Sequence, residues 1–322
     1  MSITPFPSSL SAHAWTIGPS VWSDLRPRLA PAAEPWATTL HDSVAGEVSL
    51  RGALRRESGA FGDRCLVVVH GLGGAMDRPY CILAALAAQR AGLSCLRIAL
   101  RGADRAGEDF YHGGLTRDIE AAVASAALQS FERIYVLGYS LGGHVSLRYA
   151  TGANLDARVR AVAAVCAPLD LSLSAQHIDA PASYLYRRHV LAGLHEIYAA
   201  VAKRRSVPTA PERALSAQAL RTWDSLTIVP RFGFENVAEY YREMSVGPRL
   251  NQLGVPSMLV QSTLDPMVPP WTYEPHLARE LPKLVVRRLR AGGHVAFPHV
   301  RFESGQAKAP LEDSLLGWLM RH

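Results

Sequence analysis

Three observations in the 322-residue sequence predict an α/β fold: a mostly parallel, doubly wound sheet with a helical cap inserted between core strands. Short, continuously apolar runs alternate with helix-like stretches between Cys65 and Cys166, the pattern of strands buried on both faces and joined by helices. One such run, residues 134–137, leads directly into Gly138-Tyr139-Ser140-Leu141-Gly142-Gly143 and then a helical segment. A serine held on so tight a strand-to-helix turn is the signature of a nucleophile elbow. The alternation lapses from Pro168 to about Gly254, where helix-like segments follow one another without a strand.

Residues 1–45, rich in Pro, Ser and Ala with several Trp, are expected to form an irregular arm packed on the remainder, 46–322. Residues 48–54 suit one or two edge strands. The run 65–70 is a buried strand, 79–91 a helix and 95–100 the next strand. Alanine-rich periodicity over 115–130 predicts a helix, capped near Thr116. The strand 134–137, the elbow, a helix over about 144–150 and a strand over 159–166 complete the first half. Within the cap, at about 168–254, helices are expected over 182–202, 214–224 and 237–242. Strands at 255–260 and 284–289 and a helix at 311–320 close the chain.

Composition excludes several classes. Hydrophobic residues make up 48% and charged residues 19%, as in a protein with a sizeable core. No apolar run approaches the roughly 18 residues of a membrane span. The start, Met1-Ser2-Ile3-Thr4-Pro5-Phe6-Pro7, lacks the basic and apolar regions of a signal peptide, so a cytoplasmic protein is expected. The net charge of +6 is dispersed in pairs such as Arg55-Arg56 and Arg287-Arg288. The one triplet, Lys203-Arg204-Arg205, has no interleaved aromatics, so no nucleic-acid partner is expected. Cys65, Cys81, Cys95 and Cys166 show no C-x-x-C spacing, which argues against disulfides and a zinc site.

A serine hydroxyl needs a base to take its proton, and the base needs a group to orient it. The carboxyl ends of later strands supply both: Asp265 in Ser262-Thr263-Leu264-Asp265-Pro266, and His294 in Gly292-Gly293-His294. Their order after Ser140 is the one described for α/β-hydrolases. Asp170, after the strand ending at Cys166, is a rival acid. His144, four residues past Ser140 on a helix, is expected to pack or face away. The developing oxyanion requires two backbone donors, assigned to Leu141 and, in the His70-Gly71-Leu72-Gly73-Gly74 loop, to Leu72. His70, Gly71, Tyr139, His112, Trp223 and Phe234 are candidates for the substrate pocket. This chemistry calls for no metal and no organic cofactor.

Further motifs sharpen the reading. His70-Gly71-Leu72-Gly73-Gly74 with Tyr80, Tyr111-His112-Gly113-Gly114-Leu115-Thr116-Arg117-Asp118, Ala167-Pro168-Leu169-Asp170-Leu171 and Gly292-Gly293-His294-Val295-Ala296-Phe297 resemble an α/β-hydrolase of the YheT-like group. So do Trp223-Asp224, Gly233-Phe234 and Tyr240-Tyr241. The resemblance spans about residues 45–320. It implies a serine hydrolase acting on small carboxylic esters or acyl substrates, with lipase, phospholipase and alcohol acyltransferase relatives. Ala103-Asp104 after Leu100-Arg101-Gly102 departs from the group's pattern. A non-catalytic binding protein on the same fold is the alternative from another class, and it predicts the loss of a triad member; all three are present.

Overall fold

The computed structural model describes residues 8–25, 28–302 and 307–322. Helix α1 (Ser8–Leu25) precedes a hairpin of β1 (Glu34–Asp42) and β2 (Gly46–Arg55). The core then alternates: β3 (Arg64–Val69), α2 (Pro79–Arg90), β4 (Ser94–Ala99), α3 (Arg117–Ala124), β5 (Arg133–Tyr139), α4 (Leu141–Ala150) and β6 (Val159–Val165). Six helices follow without a strand: α5 (Leu171–Asp179), α6 (Tyr184–Ala202), α7 (Pro211–Leu215), α8 (Leu220–Leu226), α9 (Ile228–Phe232) and α10 (Val237–Met244). The strands β7 (Ser257–Ser262) and β8 (Leu284–Leu289) and helix α11 (Leu311–Leu319) finish the chain.

The eight strands form one sheet in the order β1-β2-β4-β3-β5-β6-β7-β8. Every pairing from β4 to β8 is parallel, and β2 joins β1 and β4 antiparallel. Because strand side chains alternate, β3 sends Cys65, Val67 and Val69 into one core and Leu66 and Val68 into another. The second core is closed by α2 and α11, through residues such as Ala84, Ala88, Leu315 and Leu319. The first lies under α3, α4 and the cap helices, and contains Ile119, Val145, Leu194 and Trp223. Among the described residues no helix is long and apolar enough to cross a membrane.

Three expectations are corrected. The arm expected to be irregular over 1–45 carries α1 and β1 among its described residues; residues 1–7 and 26–27 lie outside them. Strand β1 pairs along its whole length with β2 and extends the sheet; Pro35 is tolerated because this is the edge strand. The helix expected over 115–130 ends at Ala124, where Ser125 turns extended; its hydroxyl donates to Ala122 O and accepts from Trp36 Nε1. The helix expected over 214–224 is two helices. Asp179 accepts from the Leu220 and Arg221 amides at 2.6 and 3.0 Å, so a carboxylate on α5 sets the start of α8.

A buried ionic cluster ties hairpin, sheet and cap together. Arg101, after β4, is 1% exposed; its guanidinium donates to Asp118, Asp42 and Asp109 at 2.9, 3.0 and 3.0 Å. Arg231 on α9 joins Asp42 and Asp109 at 3.0 and 2.6 Å. Removing Arg101 would leave three carboxylates short of positive charge in a dry site. Arg101→Met is expected to destabilise the fold by about 3–5 kcal/mol in denaturant unfolding. A loss below about 1 kcal/mol would mean that the cluster contributes little to stability.

Candidate active site

Ser140 stands alone between the end of β5 and the start of α4, with φ 52° and ψ −123°. That backbone is strained for any residue with a side chain, and it lifts the hydroxyl clear of the sheet edge. The turn closes only because its neighbours lack side chains. A Cβ on Gly138 would lie 2.3 Å from Gly142 O, and one on Gly142 2.3 Å from His70 O. The Ser140 amide donates to Val165 O of β6 at 2.8 Å, which anchors the turn to the sheet.

His294 follows β8, and Asp265 follows β7. Nδ1 of His294 is 2.8 Å from Asp265 Oδ2, and Nε2 is 2.9 Å from Ser140 Oγ. An ionised carboxylate only accepts, so in the neutral ring the proton sits on Nδ1 and Nε2 is left to accept from the serine. Asp265, 2% exposed, is held by the Met267 and Val268 amides on Oδ1 at 2.8 and 3.0 Å. The rival acid Asp170 does not reach His294: it caps α5 through the Leu173 amide and lies 3.3 Å from His276. His144 is buried between Pro168 O and Met244 O, and burial lowers its pKa to about 4.

In the loop after β3, three of four amides are occupied. Gly71 N donates to Tyr80 Oη at 3.1 Å, Gly73 N to Tyr111 Oη at 2.8 Å, and Gly74 N to Gly71 O at 3.1 Å. Among the described residues the Leu72 and Leu141 amides have no protein acceptor, and both residues line the cavity above Ser140. This cavity, of about 500 Å³, lies between the strand ends and the cap. Its wall includes Gly71, His112 and Trp223, with apolar Leu171, Ile178, Val190 and Ile228.

Three pocket candidates lie elsewhere. Tyr139 is one residue before Ser140 on a strand and therefore points to the opposite face, where it is fully buried and donates to Glu312 Oε1 at 3.3 Å. His70 turns beneath the loop: Leu100 N donates to its Nε2 at 3.1 Å, and Nδ1 lies 2.8 Å from Gly71 O. Burial lowers its pKa to about 4, so it is a neutral strut. Phe234 packs behind the wall, its ring centroid 5.2 Å from that of Tyr240.

Sequence reasoning missed Thr16. Its Oγ1, on α1, accepts from His294 N at 2.8 Å and donates to Ala12 O at 2.8 Å. No motif links residues 278 positions apart, and only the packing of α1 on the glycine loop reveals the contact. Cys166 carries no sequence signal beyond the lack of C-x-x-C spacing. It has φ 51°, its sulfur accepts from Val295 N at 3.4 Å, and burial pushes its thiol well above the ordinary range. Cys166, Asp265 and His294 bring ligand atoms within 4.8 Å of one another, the one such group among the described residues. Asp265 and His294 already satisfy each other, and a thiol kept protonated is a poor metal ligand, so the donor set does not fit a resident metal.

Residues 65–298 match the alpha/beta hydrolase fold family. Over 249 residues the chain is 28% identical to YheT of Escherichia coli (strain K12), a protein named as a candidate esterase; the match covers 72% of this chain and 70% of that one. It is 24% identical over 261 residues to medium-chain fatty acid ethyl ester synthase/esterase 2 of Saccharomyces cerevisiae, covering 72% of this chain but only 57% of the yeast protein. Among solved structures, the alpha/beta hydrolase GrgF from Penicillium sp. sh18 superposes with a TM-score of 0.52 at 20% identity, over 90% of this chain and 99% of that one. The chain belongs to the α/β-hydrolase fold family, and within it is similar to the YheT-like group.

Proposed function

We propose that this hydrolase cleaves carboxylic esters through an acyl-enzyme on Ser140. The observation that carries the reading is the Asp265–His294–Ser140 chain of hydrogen bonds, 2.8 and 2.9 Å long, opening onto a largely apolar cavity. In the first step Ser140 Oγ attacks the ester carbonyl as His294 Nε2 takes its proton. Asp265 accepts from Nδ1–H throughout and stabilises the imidazolium. The Leu72 and Leu141 amides bind the oxyanion. The C–O bond to the leaving alcohol then breaks, and the alcohol takes the proton from His294. Water, deprotonated by His294, attacks the acyl carbon; the C–Oγ bond then breaks, His294 returns the proton to Ser140 Oγ, and the carboxylic acid leaves.

The cavity volume of about 500 Å³ suits a short- to medium-chain acyl group or a lipid-like ester. A second reading replaces water with an alcohol in the last step. It is favoured by the yeast relative, whose name couples ester synthesis to ester cleavage.

Tyr111 is assigned a positioning role. Its hydroxyl accepts from Gly73 N at 2.8 Å and lies 3.3 Å from Gly71 O, so it fixes both sides of Leu72. Nitrophenyl esters of increasing acyl length test the account. Ser140→Ala is expected to lower kcat/KM by about 10⁴-fold or more, and Asp265→Asn by about 10⁴-fold. Equal rates for wild type and Ser140→Ala would sink the esterase reading. Tyr111→Phe is expected to lower kcat about tenfold or more with KM little changed, because an oxyanion donor acts mainly in the transition state. A change confined to KM would place Tyr111 in substrate binding instead.

A further inference from the structure

The cap wall of the cavity carries a carboxyl group that the mechanism does not use. Asp224, on α8, is 8% exposed and is the only acidic residue lining the cavity among the described residues. Tyr241 Oη donates to its Oδ2 at 2.6 Å, and Oδ1 has no protein donor among the described residues. The contrast with the other buried aspartates is sharp. Asp42, Asp109 and Asp118 share the Arg101 guanidinium, and Asp265 holds His294 and two amides. Asp224 has no ion pair among the described residues: Arg221 acts on it only as a more distant charge, and Arg78, the one arginine lining the cavity, pairs with no carboxylate there. The guanidinium of Arg221 lies 5.5 Å from the Tyr241 ring centroid and forms no ion pair with Asp224 among the described residues. Nearby Asp179 adds negative potential while both its oxygens cap α8.

Burial pushes the Asp224 carboxyl up to about 7, since an ionised acid with one hydroxyl donor and no ion pair is costly there. Its surroundings offer what a cation would need. Trp223 and Tyr240 also line the cavity, and aromatic rings attract positive charge, as the Arg221 guanidinium 5.5 Å from the Tyr241 ring centroid illustrates. We propose that the cap wall at Asp224 is a cation-accepting subsite, and that the substrate is an ester bearing an organic ammonium group that reaches it. The ammonium N–H would donate to Oδ1 and supply the missing counter-charge. This inference rests on the reading of Ser140 as the ester-cleaving residue of the same cavity.

Binding to the Ser140→Ala protein, measured by calorimetry at pH 7.5, tests the subsite without turnover. The probes are 2-(dimethylamino)ethyl butyrate, which is protonated at nitrogen, and 3-methylbutyl butyrate, which has the same shape and no charge. The cationic ester is expected to bind about tenfold or more tightly than the neutral one. In the Ser140→Ala, Asp224→Asn protein the ratio is expected to fall to about one. Equal affinities with Asp224 intact overturn the proposal, whether or not the double variant folds. A preference that survives Asp224→Asn overturns it as well, because the cation would then be held elsewhere. Failure of the esterase reading registers separately, as the absence of Ser140-dependent hydrolysis by the wild-type protein.

Discussion

The turn at Ser140 is the constraint on which the rest of the molecule depends. A serine at φ 52° and ψ −123° costs about 1–3 kcal/mol of backbone strain, and it persists only where the surroundings enforce it. Here β5 and β6 hold one side, through Ser140 N to Val165 O at 2.8 Å. The other side is enforced by close backbone packing, where Gly142 approaches the carbonyls of Val69 and His70. The loop after β3 therefore cannot shift without disturbing the elbow. The amides of Leu72 and Leu141 inherit their positions from that contact.

Around this turn, each supporting element fixes one group. The strand ends of β7 and β8 deliver Asp265 and His294, and α1 holds the backbone of His294 through Thr16. Tyr80 and Tyr111 occupy the amides on either side of Leu72. The Arg101 cluster fastens α9 of the cap to the hairpin and to α3. It thereby holds the cavity roof against the sheet edge without contributing a lining residue.

Much of this was legible in the sequence because the signals are local. The continuous apolar runs marked β3, β4 and β5, and the strand-turn-helix context of Gly138–Gly142 marked the elbow. The order Ser140, Asp265, His294 followed from which loops leave the carboxyl ends of strands. Legibility failed where tertiary contacts decide. The arm containing α1 and β1 looked irregular because β1 carries only a weak alternation, and its pairing with β2 supplies the missing order. Tyr139 and His70 stand beside Ser140 and the Gly71–Gly74 loop in the sequence, which does not place them in the pocket. A strand turns successive side chains to opposite faces, and His70 is drawn beneath the loop by the Leu100 amide. Phe234 was misplaced because the depth of a residue within a helical cap has no short-range signature.

The central claim is covalent chemistry at Ser140, and rapid acid quench during turnover of a nitrophenyl ester tests it most directly. Peptide mass analysis of the quenched protein should find one acyl increment, on the peptide that contains Ser140, and none in Ser140→Ala. Turnover without any acylated peptide would contradict the account, as would an increment on Cys166 or another residue that persists when Ser140 is replaced.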